Sequence, residues 1–180
     1  MQKSKILVAY SSGYGATKEV AEEVAGTIAQ ENGFLVDIVN IDECRAIEKY
    51  DSVIIGSSVR ADKPLANTRD FIAVHRYELT KKQVALFVIS FTASTPKGVD
   101  VAREDLSTHL LERFPWITPV SIAAFGGRID FDKLNPVMQI LVRNVMKEKG
   151  LESDGNFDAR NWDEIRAWAK QLTFKFKKLS

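Results

Sequence analysis

The chain has 180 residues, of which 45% are hydrophobic, a length and composition typical of one soluble globular domain with a sizeable core. Its 25 basic and 24 acidic side chains nearly cancel, which excludes the strong positive field of a typical nucleic-acid-binding protein. The single cysteine, Cys44, excludes an intramolecular disulfide and argues against a cysteine-built metal site. There is neither a signal-peptide pattern nor an apolar run of about 18 residues, so we expect a cytoplasmic protein.

The first strand and the turn after it carry the clearest functional signal. Residues 6–10 form an unbroken apolar run, typical of a strand that is buried on both faces in a parallel sheet. A helical period begins at residue 17, so a helix N-terminus lies next to the turn. Unpaired N–H groups and the helix dipole favour an anion there, and we predict a phosphate site. Its residues are Ser11, Ser12, Gly13, Tyr14, Gly15, Ala16 and Thr17.

The kind of phosphate can be narrowed from the residues that are missing. A P-loop needs a Lys-Ser or Lys-Thr pair after its glycines, and none follows here. The dinucleotide fingerprint needs a third glycine where this chain has Lys18. A loop rich in hydroxyl groups and backbone amides suits a monophosphate dianion, and the alternative is a plain strand-to-helix turn without a ligand.

Further strands and helices follow along the chain. Apolar segments predict strands at residues 34–40, 51–56, 83–91 and 118–125. Helices are predicted from Pro64, over residues 99–114, and after an N-cap at Asn161. Five strands that alternate with helices predict an α/β fold with a doubly wound parallel sheet. A response-regulator receiver has the same pattern, but it needs an aspartate at the end of the third strand, where this chain has Gly56 and Ser57.

An insertion at residues 129–160 departs from the regular alternation. About 35 residues separate the fifth strand from the last helix, whereas such connections usually take two to six. Apolar residues at helical spacing predict an additional amphipathic helix, which either packs on the sheet edge or contacts a substrate or a membrane. Its apolar positions are Leu134, Met138, Leu141, Val142, Val145 and Met146, and its basic positions are Lys133, Arg143, Lys147 and Lys149.

Several segments carry a family resemblance. Residues 12–17, SGYGAT, resemble the phosphate loop of the flavodoxins. YDSVIIGSSVRADK at residues 50–63, AAFGGRID at 123–130, NPVMQILVRNVMKEKG at 135–150 and NWDEIRAWA at 161–169 extend the resemblance over nearly the whole chain. With them the chain resembles the menaquinone-dependent protoporphyrinogen IX dehydrogenases, a flavodoxin-like family of haem biosynthesis.

The resemblance implies a cofactor, a reaction and a set of partners. It implies one flavodoxin-like domain over residues 1–180 with strand order 2-1-3-4-5 and noncovalently bound FMN. Porphyrinogen and quinone would be the substrates, with hydride equivalents passing through the flavin. Contact with the cytoplasmic face of a membrane or with a redox protein partner is compatible with this activity. The sequence leaves homo-oligomer formation open.

The resemblance also implies which residues meet the flavin, and no catalytic side chain, because the flavin carries the chemistry. Residues 11–17 would hold the phosphate. Tyr14 and Phe91 are candidates to flank the ring, and the alternative for each is a place in the core. Arg60 and Arg128 are candidates to tune the flavin or to hold substrate propionates. The backbone of Ser57, Ser58, Val59 and Arg60 is expected to meet the ring from one side. The remaining expected contacts are Thr92, Ala93 and Ser94 at the other edge of the ring, with Gly126 and Gly127.

Two other functions fit the same fold. A carrier flavodoxin would shuttle single electrons between proteins, but such carriers are typically strongly acidic, unlike this chain. An NAD(P)H:quinone reductase would need a shallow nicotinamide site that the sequence does not show. The chain departs from the resembled family at Gly13 and Tyr14, where members often carry charged residues, and in the loop at residues 91–97.

Overall fold

The computed structural model describes residues 3–60, 63–148, 150, 151 and 155–178. Five long parallel strands form its central sheet: β1 (Ser4–Ser11), β2 (Phe34–Asn40), β3 (Ser52–Arg60), β5 (Gln83–Ser90) and β6 (Ser121–Gly126). The short strand β4 (Lys63–Pro64) pairs antiparallel with β3. The helices are α1 (Ala16–Ala29), α2 (Ala66–Val74), α3 (Arg76–Leu79), α4 (Pro96–Leu106), α5 (Pro136–Glu148) and α6 (Trp162–Lys178). None of these described helices meets the length and hydropathy of a bilayer-spanning segment.

The sheet has the order β2-β1-β3-β5-β6 and separates two hydrophobic cores. Alternate residues of β1 point to opposite faces: Ile6 and Val8 join a core with α1 and α6, while Leu7 and Ala9 join a core with α2 and α4. The doubly wound fold and the order of the long strands predicted from the sequence are confirmed. The Asn161 cap is also confirmed, because its Oδ1 accepts hydrogen bonds from the N–H groups of Asp163 and Glu164.

The segment after β3 differs from the prediction. Residues 57–60 were expected in a loop, and Pro64 was expected to begin a helix. Instead β3 continues to Arg60, and Val59 pairs antiparallel with Pro64 in β4. The helix begins later, at Ala66, because the Ser57 hydroxyl accepts hydrogen bonds from Leu65 N–H and Thr68 Oγ1 and thereby fixes its first turn. Ala61 and Asp62 lie outside the described residues.

Two other boundaries also shift. The strand predicted at residues 118–125 begins at Ser121. The helix predicted over residues 99–114 begins at Pro96, where Thr95 Oγ1 accepts a hydrogen bond from Gly98 N–H. Regular α-helix ends at Leu106 and continues as a short π-helical segment, Ser107–Leu111.

The insert, residues 129–160, is closed at its base by two short antiparallel strands. These are β7 (Arg128–Ile129) and β8 (Phe157–Asp158). Between them α5 confirms the predicted extra helix, and Met146 buries its side chain against Ile129 and Phe131 in a small separate core. The predicted basic position Lys149 lies outside the described residues.

A glycine in the middle of β3 sets a sharp packing limit. Gly56 lies opposite Phe87 of β5, and a Cβ added to Gly56 would come within 2.1 Å of the Phe87 ring. We expect Gly56→Ala to lower the free energy of unfolding by about 2 kcal/mol, because Phe87 is fully buried and has no room to move.

Gly26 provides the matched control, since it lies on the exposed side of α1 with nothing within 4 Å of an added Cβ. Gly26→Ala is expected to raise stability by about 1 kcal/mol through helix propensity. Urea unfolding of both variants measures the difference, and equal midpoints would contradict the packing argument.

Candidate functional site

A cleft of about 260 Å³ opens at the carboxyl ends of the long strands. Residues that follow β1, β3, β5 and β6 line it, and the insert forms one side. This is the crevice at which the strand order reverses, where doubly wound sheets bind ligands. The lining residues are Gly13, Tyr14, Ala16, Ser58, Val59, Arg60, Leu65, Ile89, Ser90, Phe91, Gly127, Arg128, Ile129, Asp130, Lys133, Leu134, Leu141, Val142 and Val145.

The turn between β1 and α1 gathers hydroxyl and N–H groups at one end of the cleft. Ser12 Oγ accepts a hydrogen bond from Gly15 N–H at 2.9 Å, and Gly15 adopts the left-handed conformation, with φ of 93°, just before α1 begins. Thr17 Oγ1 and Ser58 Oγ are hydrogen-bonded at 2.7 Å, and Ser58 Oγ also accepts from Gly13 N–H. The first-turn N–H groups of α1, which have no partner within the helix, face the same turn. The arrangement suits an anion.

The side chains of Ser11 and Ser57, like that of the fully buried Thr17, lie behind the cleft lining. The Ser11 hydroxyl donates to Asn67 Oδ1 at 2.7 Å, and Asn67 in turn donates to the Asp42 carboxylate. The Ser57 hydroxyl donates to the Ser58 carbonyl. Both serines are buried, so their side chains fix neighbouring backbone segments.

Aromatic and apolar side chains form the middle of the cleft. Tyr14 is 60% exposed at its edge, so it is not a core residue. Phe91 is half-buried and packs on Phe157 with ring centroids 6.3 Å apart. Val59 contributes from the end of β3. The other predicted residues of the loop after β5, Thr92, Ala93 and Ser94, form a 3₁₀ turn beside the cleft and do not line it.

The two glycines after β6 permit close backbone approach. A Cβ on Gly126 would lie 2.2 Å from the Ala159 carbonyl oxygen, and one on Gly127 would lie 3.3 Å from the Phe91 ring. Gly127 lines the cleft and accepts a hydrogen bond from Ala159 N–H, whereas Gly126 faces the chain that returns from the insert. Both positions therefore join the insert to the cleft.

Of the three cationic residues that line the cleft in the described part of the chain, two are held in ion pairs. Arg128 lines the cleft, but its Nη1 lies 3.0 Å from Glu19 Oε1. Lys133 pairs with Asp130 at the rim. Arg60 lies exposed at the end of β3, and no ion pair is found for it among the described residues.

A second arginine stands behind Arg128. Arg160 donates to Glu19 Oε2 at 2.7 Å and holds Asp158 through two side-chain hydrogen bonds, with its own side chain only 3% exposed. These hydrogen bonds lower the pKa of the Asp158 carboxyl and raise the pKa of Arg160. Neither Glu19 nor Arg160 was predicted from the sequence. No local motif signals their contact, because 141 positions separate them.

The insert supplies an apolar side to the cleft. Leu134, Leu141, Val142 and Val145 all face it, and Leu141 remains 53% exposed at its outer edge. Spacing alone had marked these positions as an apolar stripe, and the structure shows that they line the cleft. Among the described residues, five further members of the lining were not predicted from the sequence and carry no motif. They are Leu65 just before α2, Ile89 and Ser90 at the buried end of β5, and Ile129 and Asp130 at the base of the insert.

The whole set of donors fits one class of ligand. Hydroxyl and N–H donors at one end suit a phosphate, and the apolar middle suits a flat ring system. A phosphate-bearing aromatic cofactor satisfies both requirements.

Solved structures with this fold include several flavoproteins. The chain resembles a WrbA-like flavodoxin from Agrobacterium tumefaciens with a TM-score of 0.57 and 16% identity, over 98% of this chain and 99% of that one. It resembles oxidised flavodoxin 1 from Bacillus cereus with a TM-score of 0.54 and 20% identity, over 97% and 98%. A flavoprotein in complex with FMN from Lactobacillus acidophilus matches 68% of this chain and 93% of its own, with a TM-score of 0.50 and 17% identity. These likenesses establish the fold.

Sequence comparison points to more specific relatives and to a family. Protoporphyrinogen IX dehydrogenase [quinone] from Leishmania major is 24% identical over 95% of this chain and 75% of its own length. The protein of that name from Escherichia coli strain K12 is 22% identical over 93% of this chain and 94% of its own. The model of the flavodoxin domain matches residues 7–156, and the chain therefore belongs to the flavodoxin domain family.

Proposed function

We propose that this chain binds FMN in the cleft and oxidises protoporphyrinogen IX to protoporphyrin IX with a quinone as electron acceptor. The observation that carries this proposal is the apolar side that the insert adds to the cleft, next to the cationic residues Arg60, Arg128 and Lys133. The names of the relatives in Leishmania major and Escherichia coli support the choice of substrates.

The FMN phosphate would lie at the turn between β1 and α1. Ser12 and Ser58 would supply hydroxyl groups, and the fully buried Thr17 would orient the Ser58 hydroxyl from behind. The first-turn N–H groups of α1 would supply further donors. Val59, Phe91 and Tyr14 would bound the ring. When bound, FMN supplies the hydride-accepting chemistry, and the residues of the chain bind, orient and exclude water.

The porphyrinogen would contact the apolar residues of the insert and the cationic residues of the cleft. Its macrocycle is largely apolar and suits Leu134, Val142 and Val145 of the insert. Its propionates carry negative charge, which the guanidinium groups of Arg60 and Arg128 would attract. The insert therefore serves as a substrate element in this proposal, while the phosphate end of the cleft serves the cofactor.

The central test is an anaerobic assay with FMN-loaded protein, protoporphyrinogen IX and a soluble menaquinone analogue. We expect porphyrin fluorescence to appear in step with quinone reduction. Leu141→Asp with Val145→Asp should reduce this rate at least tenfold, because the two carboxylates would place uncompensated charge against an apolar substrate. FMN content of the variant is the control, since the phosphate end of the cleft is unchanged.

Two further measurements on the FMN-loaded protein test the alternatives of a quinone reductase and an electron carrier. Rapid quinone reduction with NADPH alone would favour an NAD(P)H:quinone reductase. A stable one-electron-reduced flavin on stepwise titration, without porphyrinogen turnover, would favour an electron carrier. Either result would overturn the proposed reaction and leave FMN binding in place.

Gly15 tests the assignment of the phosphate end. Gly15→Ala should weaken FMN binding about tenfold, since alanine disfavours the left-handed conformation by about 1–2 kcal/mol and nothing else surrounds the added Cβ. Gly13→Ala is the matched control in the same turn. There, φ lies outside the left-handed region and an added Cβ makes an ordinary 3.8 Å contact with Arg60. Quenching of flavin fluorescence measures both affinities, and equal losses would contradict the assignment.

A quinone dissolved in a bilayer requires contact with the membrane surface, and we propose that the outer face of α5 makes it. Val137 and Ile140 are 75% and 61% exposed there, next to Leu141 at the mouth of the cleft. Arg143 and Lys147 are exposed on the same helix and would favour anionic headgroups.

Vesicle co-sedimentation tests this contact. Val137→Ser with Ile140→Ser should abolish salt-sensitive binding to vesicles that contain phosphatidylglycerol, because the apolar face would be lost. Val74→Ser with Tyr77→Ser is the matched control, since these side chains are equally exposed on α2 and α3, away from the cleft. Equal effects of the two pairs would refute a specific role of α5.

A further inference from the structure

One carboxylate is shared by two arginines at the edge of the cleft. Glu19, in the first turn of α1, is contacted by Arg128 Nη1 at 3.0 Å and by Arg160 Nη1 at 2.7 Å. The two arginines are not equivalent. Arg128 lines the cleft and is 26% exposed, whereas Arg160 is 3% exposed and is also held by Asp158.

Arg160 is fixed by several further contacts. Its Nε and Nη2 donate to the two oxygens of Asp158 at 2.8 and 2.6 Å, and its guanidinium lies 4.5 Å from the centroid of the Trp162 ring. A buried guanidinium held by two carboxylates and an aromatic face has no freedom to leave. Glu19 is therefore anchored by Arg160, whatever Arg128 does.

The anchoring lowers the cost of releasing Arg128. If Glu19 paired with Arg128 alone, a ligand that took Arg128 would leave a half-buried carboxylate without a partner, at a substantial free-energy cost. With Arg160 in place the carboxylate keeps a charge-assisted hydrogen bond throughout. The only change is that a ligand carboxylate replaces the Glu19 carboxylate on the cleft-facing guanidinium of Arg128.

We propose that Glu19 pairs with Arg128 until a ligand carboxylate takes its place. A carboxylate-bearing substrate displaces Glu19 from Arg128, while Glu19 stays paired with Arg160. Arg128 is then the specificity-determining residue for the substrate's acidic group, and Glu19 and Arg160 are positioning residues that act through it. The identification of this group as a porphyrinogen propionate rests on the proposed function. The exchange itself requires only a carboxylate in the cleft.

A similar cluster one turn further along α1 supplies the control. Arg166 of α6 donates to Glu23 of α1 at 3.0 Å and to Asp163 of its own helix at 2.7 Å, so it too is held by two carboxylates. None of these residues lines the cleft. Glu23→Gln therefore removes a carboxylate and an arginine contact from the same helix without affecting Arg128.

The first measurement uses porphyrins as ligands of the FMN-loaded protein. We expect Glu19→Gln to tighten binding of protoporphyrin IX about fivefold, because the ligand no longer competes with a carboxylate for Arg128. Binding of the protoporphyrin dimethyl ester should not change. Arg128→Gln should weaken binding of the free acid alone, and Glu23→Gln should alter neither affinity. Unchanged or weaker binding of the free acid by Glu19→Gln, or equal tightening of the ester, would overturn the exchange.

The second measurement separates this inference from the choice of substrate. Glutarate, a dicarboxylate without a macrocycle, is titrated against protein whose arginine side-chain Nε–H signals are followed by NMR, with the Arg128 signal assigned from Arg128→Gln. The Arg128 signal should shift while the Arg160 signal stays, and about fivefold less glutarate should suffice in Glu19→Gln. If the Arg128 and Arg160 signals shift together, or if the Arg128 signal does not shift, the exchange is refuted even if porphyrins bind. Failure of both porphyrins to bind the wild-type protein would instead refute the proposed substrate.

Discussion

The burial of β1 on both faces is the constraint on which the rest of the structure depends. Ile6 and Val8 face α1 and α6, while Leu7 and Ala9 face α2 and α4, so the strand has no solvent side. Its neighbours β2 and β3 must run parallel to it, and helical crossovers must then carry the chain back to the same starting edge. All the loops at the carboxyl ends of the strands consequently meet at one edge of the sheet. The cleft forms between β1 and β3, because the chain leaves these neighbouring strands toward opposite faces of the sheet.

The chemistry of that place depends on how its charges are compensated. The sequence predicted that Arg60 and Arg128 would place positive charge beside the flavin or hold substrate propionates. The structure pairs Arg128 with Glu19 and Lys133 with Asp130, while Arg60 remains exposed at the end of β3. A site with paired cations responds to an anionic ligand by exchanging partners, whereas a site with free cations would respond by simple attraction. The near-zero net charge of the whole chain is thus reproduced locally at the cleft.

The parts of the fold that follow from local patterns were predictable. Apolar runs identify the buried strands, and the hydroxyl-rich turn after β1 predicts an anion site, since each signal lies within a few adjacent residues. Pro64 was misassigned because proline suits both a helix start and an edge strand, and only the pairing of Val59 with it decides between them.

Contacts between distant residues were beyond the reach of sequence reasoning. Ser11 and Ser57 belong to hydroxyl-rich segments, but the hydroxyl of each is hydrogen-bonded to a neighbour in space, Asn67 for Ser11 and Thr68 for Ser57. The same applies to the contact of Arg160 with Glu19, which depends on how the chain returns from the insert to α6. Tertiary hydrogen bonds assign the function of a polar side chain, and residue type alone does not.

The pairing of β7 with β8 has a consequence for how this chain can vary. Arg128 stands opposite Asp158 and Ile129 opposite Phe157, and Ala159 N–H donates to the Gly127 carbonyl just below them. The two ends of the insert therefore stay together whatever lies between them, and the closure entropy of a loop grows by only about 0.6 kcal/mol for each doubling of its length. The segment between β7 and β8 can therefore be replaced while the two paired strands at its base stay the same. Related chains could lengthen, shorten or exchange it, and so acquire new ligands, without disturbing the sheet or the phosphate end of the cleft.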